Sequence, residues 1–495
     1  MSKKRGPSFW DRSKQRFLIT KSVEDVMEET GEEGSRLKRS LNLLDILFIG
    51  IGAIIGAGIF VLAGVAAALH AGPAVILSFV VAGIACGLAA LCYAEFASMI
   101  PVSGSAYTYS YSTMGELVAW VIGWDLILEY AVGAIAVSIG WSGYLVELLG
   151  AAGIHLPAAI SGSPFAVSGA IINLPAMFIV LLLTGLLVLG TKESAGINTA
   201  LVAVKIIVII IVIIVGFSFV NPKNYDPLMP FGIGGVFGGA AIVFFAYIGF
   251  DAASTTAEEA KNPQRDLPIG IIGALVISTA LYIMAAVVLT GMVPYTELNQ
   301  SAPFAYAFTK YHVTWATAVV SAGAIAGITS VLLVSLLAQP RIFFSLSRDG
   351  LLPKGISTVH PRFRTPYKAT LITGVAVAIF AGILPIGVAA ELTNIGTLFA
   401  FFLVSVGIII LRKKRPDLHR PFRVPLVPWL PAIGAFMCLL LMLSLPAITW
   451  FRFLGWLGIG LLIYANYGYH RSRLLRKRRE ETAGEVVDIV ADEGT

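Results

Sequence analysis

Charge is scarce in this sequence. Asp, Glu, Lys and Arg make up 13% of its 495 residues, about half the share usual in soluble domains. A soluble chain of this length would divide into several domains, and there is too little charge to cover their surfaces. Cysteine is scarcer still. Cys86, Cys92 and Cys438 lie in apolar stretches with no disulfide or zinc spacing, so they read as small buried hydrophobes. His70, His155 and His312 fall between apolar stretches and read as solvated side chains of outer loops. Neither HExxH nor GxSxG occurs, and there is no paired Ser–Lys or Asp–Asp catalytic signature. No enzyme activity, cofactor or metal is expected. The net charge of +6 sits mainly in loops and tails, so nucleic acid is not an expected partner.

What is present is apolar sequence, 57% by an inclusive count, with 50 glycines, and glycine is more frequent in membrane helices than in soluble ones. A spanning helix needs about 20 apolar residues. Twelve segments qualify, at about 46–69, 73–98, 116–148, 170–191, 197–220, 236–257, 268–293, 314–346, 368–387, 391–411, 427–449 and 453–470. The chain is therefore expected to be an all-α polytopic membrane protein. The first 40 residues are polar and mixed in charge, so the first span is expected to stay in the membrane as an anchor and not to be removed as a signal peptide. Of the 35 Lys and Arg residues, Lys223, Lys310 and Arg452 fall on one side, Lys205 inside span five, and the rest on the other side. The positive-inside rule then places the tails 1–45 and 471–495 in the cytoplasm, with the cell membrane as the expected location. The basic run from Arg471 to Arg479 has a second meaning as an anionic-lipid contact, and Leu462 to Arg471, with Tyr467 between, fits a proposed sterol-contact pattern. Topology is a sufficient reading of both.

Two spans look interrupted. Span one reads GIGAIIGAGIF from Gly50 to Phe60, with four glycines in nine positions. Gly52 and Gly56 suit close helix packing, while Gly56-Ala57-Gly58 suits an unwound turn, since glycine in a helix interior costs about 0.5–1 kcal/mol relative to alanine. Span six reads FFAYIGFDAAS from Phe244 to Ser254 and sets Gly249 close to Asp251. Spans one and six open the two halves of a ten-helix block. Broken helices at matching places point to a transporter site, where half-helix N–H groups meet an anion and free carbonyls meet a cation. An L-α-amino acid carries both charges.

An ionisable side chain at bilayer depth costs at least about 2.5–3.5 kcal/mol, so each is a functional candidate. Glu129 and Asp125 lie one turn apart on span three, Lys205 on span five and Asp251 just past the break in span six. Glu129 and Lys205 read either as proton carriers or as a structural ion pair. Asp251 reads as a substrate contact, as a cap on the second half-helix, or as both. Glu95, Glu116 and Glu147 lie near span ends and read as interfacial. Ser335 is the one small polar residue in the bulky run VLLVSLLAQPR, either packed and bonded to its own backbone or lining a pocket.

GIGAIIGAGIF, FFAYIGFD and EEAKNPQRDLP (Glu258 to Pro268) resemble the amino acid–polyamine–organocation (APC) superfamily, and GWDLILEY, LVAVKIIV and SRDGLLP narrow the resemblance to its cationic amino acid transporter branch. Many members of that branch carry fourteen spans, so with twelve the likeness to the longer ones is partial. The resemblance implies a LeuT-like fold of two inverted five-helix repeats, 46–220 and 236–411, followed by spans eleven and twelve at 427–470. It also implies that the N–H groups of Gly56, Ala57 and Gly58 meet the substrate carboxylate, and that the carbonyls of Ile54, Phe245, Ala246 and Ile248 meet its ammonium. Gly249, Asp251, Ser335 and Thr397 would complete the pocket, with Tyr247 and Phe250 in the gate or wall.

The function expected from these readings is proton-coupled, alternating-access transport of L-amino acids. Small neutral ones such as alanine suit a pocket bounded by Gly, Ala and Ile, and Asp251 with Ser335 would admit arginine, lysine or ornithine. Exchange, or transport of polyamines or other organic cations without protons, is the alternative. A channel would need pore rings or a filter. Lys205, at the depth of Gly56, would stand where related sodium-coupled transporters hold the ion and contact the carbonyls of broken span one, and burial disfavours the charged forms of lysine and carboxylate alike. Protons and membrane lipids are the other expected partners; the sequence carries no mark by which to infer an accessory membrane subunit.

Overall fold

The computed structural model describes residues 20, 41–100, 105–189, 194–251, 253–254, 260–353, 355–356, 358 and 366–476. Most of the N-terminal tail, Glu258 and Glu259 of the EEAKNPQRDLP motif, and the basic residues Lys477 to Arg479 lie outside them. Among the described residues the regular elements are helical, with two isolated β-bridges.

Helix α1 (Leu43–Ile54) starts on a capping box. The Asn42 side chain accepts the N–H groups of Leu44 and Asp45, and the Asp45 carboxylate accepts the Asn42 N–H at 2.9 Å. After an interruption the helical path resumes as α2 (58–71), built of π and α turns. It turns at Gly72-Pro73 into α3 (Val75–Met99). There follow α4 (Ser105–Thr113), α5 (Glu116–Ala151), α6 (Leu174–Leu189), α7 (Ser194–Phe217) and α8 (Gly232–Val243). The second part of the chain supplies α9 (Pro263–Met292), α10 (Pro303–Lys310), α11 (Thr314–Arg348), α12 (Tyr367–Ile383), α13 (Ile386–Lys414), α14 (Trp429–Leu443) and α15 (Ala447–Ile463).

Every expected apolar segment carries helix, and α4 and α10 are short helices the apolar pattern does not announce. Among the described residues, seven helical stretches are long and apolar enough to cross a membrane, with four shorter apolar helices beside them. The first stretch, Leu43–Met99, is the interrupted α1–α2 together with α3. The long α5 packs along α11 and α13, while α9 packs along α1 and α3. The α1–α2 interruption lies inside this bundle, with every residue from Gly50 to Ala63 buried.

Two carboxylates expected at an interface are fully buried instead. Glu95, near the end of α3, accepts the Nε and Nη2 of Arg412 at 3.0 and 2.6 Å and the N–H of Val424 at 2.7 Å. Glu116, first in α5, accepts the hydroxyls of Tyr111 at 2.8 Å, Tyr464 at 2.9 Å and Ser472. Position near a helix end does not reveal that other chain segments fold over both.

Candidate functional site

The two interruptions meet. Ile55 leaves the α1 path with extended backbone, and α8 tightens into a 3-10 turn, Phe244–Tyr247, before Ile248 becomes extended. Gly249 follows at φ +119°, a conformation side chains rarely adopt, and a Cβ there would lie 2.7 Å from the Ala53 carbonyl oxygen. A Cβ on Gly58 would stand 2.5 Å from the Ala246 Cβ and 2.6 Å from its backbone N. Both glycines are therefore required by the close approach of the two breaks.

Several carbonyls at the breaks lie within hydrogen-bond distance of side chains from three other helices. Lys205 of α7, fully buried, donates through Nζ to the oxygens of Gly52 at 2.5 Å and Ile55 at 2.9 Å and to Ser330 Oγ at 3.1 Å. Three acceptors match the three N–H bonds of an ammonium. Tyr282 of α9 has its hydroxyl 3.0 Å from the Ile54 oxygen and 2.8 Å from that of Ala246. Asn394 of α13 donates to the oxygens of Ala241 at 2.7 Å and Ile242 at 3.1 Å. The N–H groups of Gly56, Ala57 and Gly58, at the start of the second segment where a helix leaves them unbonded, have no acceptor among the described residues.

A cavity of about 50 Å³ lies between the breaks. Ile54, Gly56, Ala57, Gly58, Phe245, Ile248, Gly249, Asp251, Ser335 and Glu129 all line it. Ala246 does not, being turned to Gly58 and Tyr282. Thr397 bonds the Thr393 oxygen and lies against the Glu129 carboxyl, and it is Thr393, one turn earlier on α13, that reaches the cavity. Tyr247 and Phe250 lie outside the lining. The Tyr247 hydroxyl donates to the Phe79 oxygen at 2.8 Å, and the Phe250 ring packs on Phe401 at 4.8 Å and Tyr93 at 5.6 Å.

Lys205 also stands outside the cavity and bonds the far side of the break, so the Glu129–Lys205 ion pair does not form. Ser335 unites its two readings, donating to the Val331 oxygen at 3.0 Å while lining the cavity. Asp251 has the Tyr130 hydroxyl 3.5 Å from Oδ2. Asp125 is fully buried, and neither carboxyl oxygen has a hydrogen-bond partner among the described residues. The remaining walls, Val137, Val331 and Val334 with Ala53, Tyr130 and Gly133, were not singled out in the sequence as site residues. Nor were Tyr282 and Asn394, whose only signal is a polar group inside an apolar helix.

The amino acid permease family profile matches residues 41–463. The methylthioribose transporter of Bacillus subtilis (strain 168) is 50% identical over 438 residues, 88% of this chain and 95% of that one. The branched-chain amino acid permease BcaP of the same organism is 49% identical over 457 residues, 92% and 98% of the two chains. The vacuolar cationic amino acid transporter 2 of Arabidopsis thaliana is 43% identical over 390 residues, 78% of this chain and 61% of that one.

Proposed function

The chain belongs to the amino acid permease family, and from that premise we propose that it carries L-α-amino acids across the cell membrane by proton-coupled alternating access. Membership makes it a multi-pass membrane transporter and not an enzyme. Twelve spans, two inverted repeats at 46–220 and 236–411, a further pair at 427–470 and cytoplasmic tails 1–45 and 471–495 complete the proposal. The strongly one-sided Lys and Arg distribution supports this topology.

The observation that carries the reading is the cavity between the breaks, with unbonded N–H groups at Gly56–Gly58 on one wall and Glu129 and Asp251 on others. The N–H groups take the substrate carboxylate. The ammonium faces Asp251 and the oxygens of Phe245 and Ile248, and the side chain points toward Val331, Val334 and Ser335. A water needs about 10–15 Å³ by the same volume measure, so the cavity holds about four waters and suits a small substrate such as alanine. Two carboxyls in its lining favour a second reading, in which arginine, lysine or ornithine enter when the Ser335 wall yields.

Proton coupling rests on Lys205. Loss of a proton removes one of its three bonds and loosens α7 from the α1 break. Glu129, facing the cavity, is the second carrier. The test is uptake by proteoliposomes with and without an inward proton gradient, with sodium replaced by choline, and with alanine, leucine, arginine and methylthioribose as competitors. Sodium dependence would overturn the coupling. Uptake stimulated only by substrate preloaded inside the liposomes would favour an exchanger, and preference for a polyamine would favour the organic-cation alternative.

A further inference from the structure

A second cavity, of about 500 Å³, opens where α15 ends, between the turn 350–353 and the segment that carries Tyr467, Arg471, Arg473 and Arg476. Three of its lining side chains are arginines, and all three are exposed. None pairs with an acid among the described residues. Arg471 instead lies over the Tyr467 ring, 5.0 Å from its centroid. A guanidinium recognises phosphate through paired N–H donors, so three of them around one hollow form an anion site.

The backbone that presents them is anchored. The Arg473 N–H donates to the Asp349 oxygen at 3.0 Å. Gly350, at φ +81°, passes so close to the Arg471 carbonyl that no Cβ would fit. Between the arginines, Ser472 donates to the buried Glu116 and also accepts the Leu475 N–H at 3.2 Å. The arginine stems therefore leave a fixed scaffold, which lowers the cost of ordering them around a ligand.

The helix leading to this hollow exposes Ile459, Leu461 and Leu462 by 52%, 44% and 64%. Along this segment exposed apolar surface gives way to guanidinium groups, the order met at the boundary between hydrocarbon and headgroups. We propose that this hollow binds the headgroup of an anionic phospholipid. Its floor is the turn that follows α11 and its wall is tied to Glu116 at the start of α5, and these two helices carry Ser335 and Glu129 into the substrate cavity. The occupant braces the ends of both helices.

The experiment uses the full chain in nanodiscs of phosphatidylcholine with a minority of phosphatidylglycerol, followed by native mass spectrometry of the lipid retained. Wild type should keep phosphatidylglycerol. Arg471→Gln/Arg473→Gln/Arg476→Gln should keep about tenfold less or lower still, while Lys261→Gln/Arg265→Gln/Lys413→Gln, which removes equal charge elsewhere, should keep it as wild type does. Should the triple variant fail to fold, Arg476→Gln alone should still lower retention. Equal retention by the arginine variants and wild type would overturn the proposal, as would equal loss in the charge-matched control. Displacement of the lipid by millimolar inorganic phosphate would reassign the site to a free anion.

Discussion

Replacing Gly58 by alanine puts the meeting of the two breaks to a direct test. The added Cβ would lie 2.5 Å from the Ala246 Cβ and 2.6 Å from its backbone N. Favourable contact between carbon atoms begins at about 3.5 Å, so the breaks would have to separate by about 1 Å. The obstacle is backbone, which cannot rotate aside. Overpacking of this kind costs about 1–3 kcal/mol, which corresponds to about a five- to 150-fold change in an equilibrium. Gly56→Ala is the matched comparison. Its Cβ would meet Val331 Cγ2 at 2.8 Å, a side-chain methyl that a valine rotamer change removes, so its cost should be smaller. The expectation is that Gly58→Ala lowers both the thermal midpoint of the purified protein and alanine affinity, each by more than Gly56→Ala does. Binding within twofold of wild type at an unchanged midpoint would refute the close approach. The larger Gly56→Val and Gly58→Val changes should abolish binding, the first by filling the cavity and the second by parting its walls.

Lys205→Ala should lose stimulation by an imposed proton gradient, and full stimulation would return Lys205 to a purely structural place. Ser335→Met should lower the ratio of arginine to alanine uptake by filling the cavity, and an unchanged ratio would remove Ser335 from the substrate wall. Glu95→Gln should destabilise the protein by about 3 kcal/mol, because it leaves Arg412 and Arg420 without their buried carboxylate; a thermal midpoint equal to wild type would show that the pair is spare. Alanine methyl ester should compete with alanine far less well than N-methylalanine does, in a competition assay on purified protein, and the reverse order would contradict the carboxylate assignment.

The helices were legible because apolar length sets them, and so were the two breaks, because glycine clusters are costly in helices. The partners of the breaks were only partly legible. Lys205 declares itself as a charge in an apolar span at the depth of Gly56, and its contact with carbonyls of the span-one break is as expected; only packing tells that these are Gly52 and Ile55. Tyr282 and Asn394 look like ordinary occupants of their helices until α9 and α13 are packed against the breaks. Thr393 and Thr397 share a helix face, since residues four apart coincide, and sequence alone does not fix which of them stands at the depth of the cavity. Tyr247 and Phe250 flank a break, yet the 3-10 turn and the positive φ of Gly249 carry them toward Phe79 and Phe401, away from the lining.

The balance of backbone donors and acceptors is what the proposed carboxylate site rests on. Unwinding two helices frees both donors and acceptors, and a buried one left unpaired costs about 1–3 kcal/mol. On the acceptor side the protein supplies partners for several of the carbonyls. Lys205 takes Gly52 and Ile55, Tyr282 spans Ile54 and Ala246, and Asn394 takes Ala241 and Ile242. On the donor side, Gly56, Ala57 and Gly58 receive no such partner. The asymmetry leaves much of the acceptor backbone at the breaks already bonded and the donor backbone of Gly56 to Gly58 open. On the proposed reading, an incoming carboxylate gains three waiting N–H groups at the positive end of a half-helix. On the same reading the ammonium has fewer open carbonyls and leans on the side-chain carboxyls of Asp251 and Glu129, which stand in the same lining.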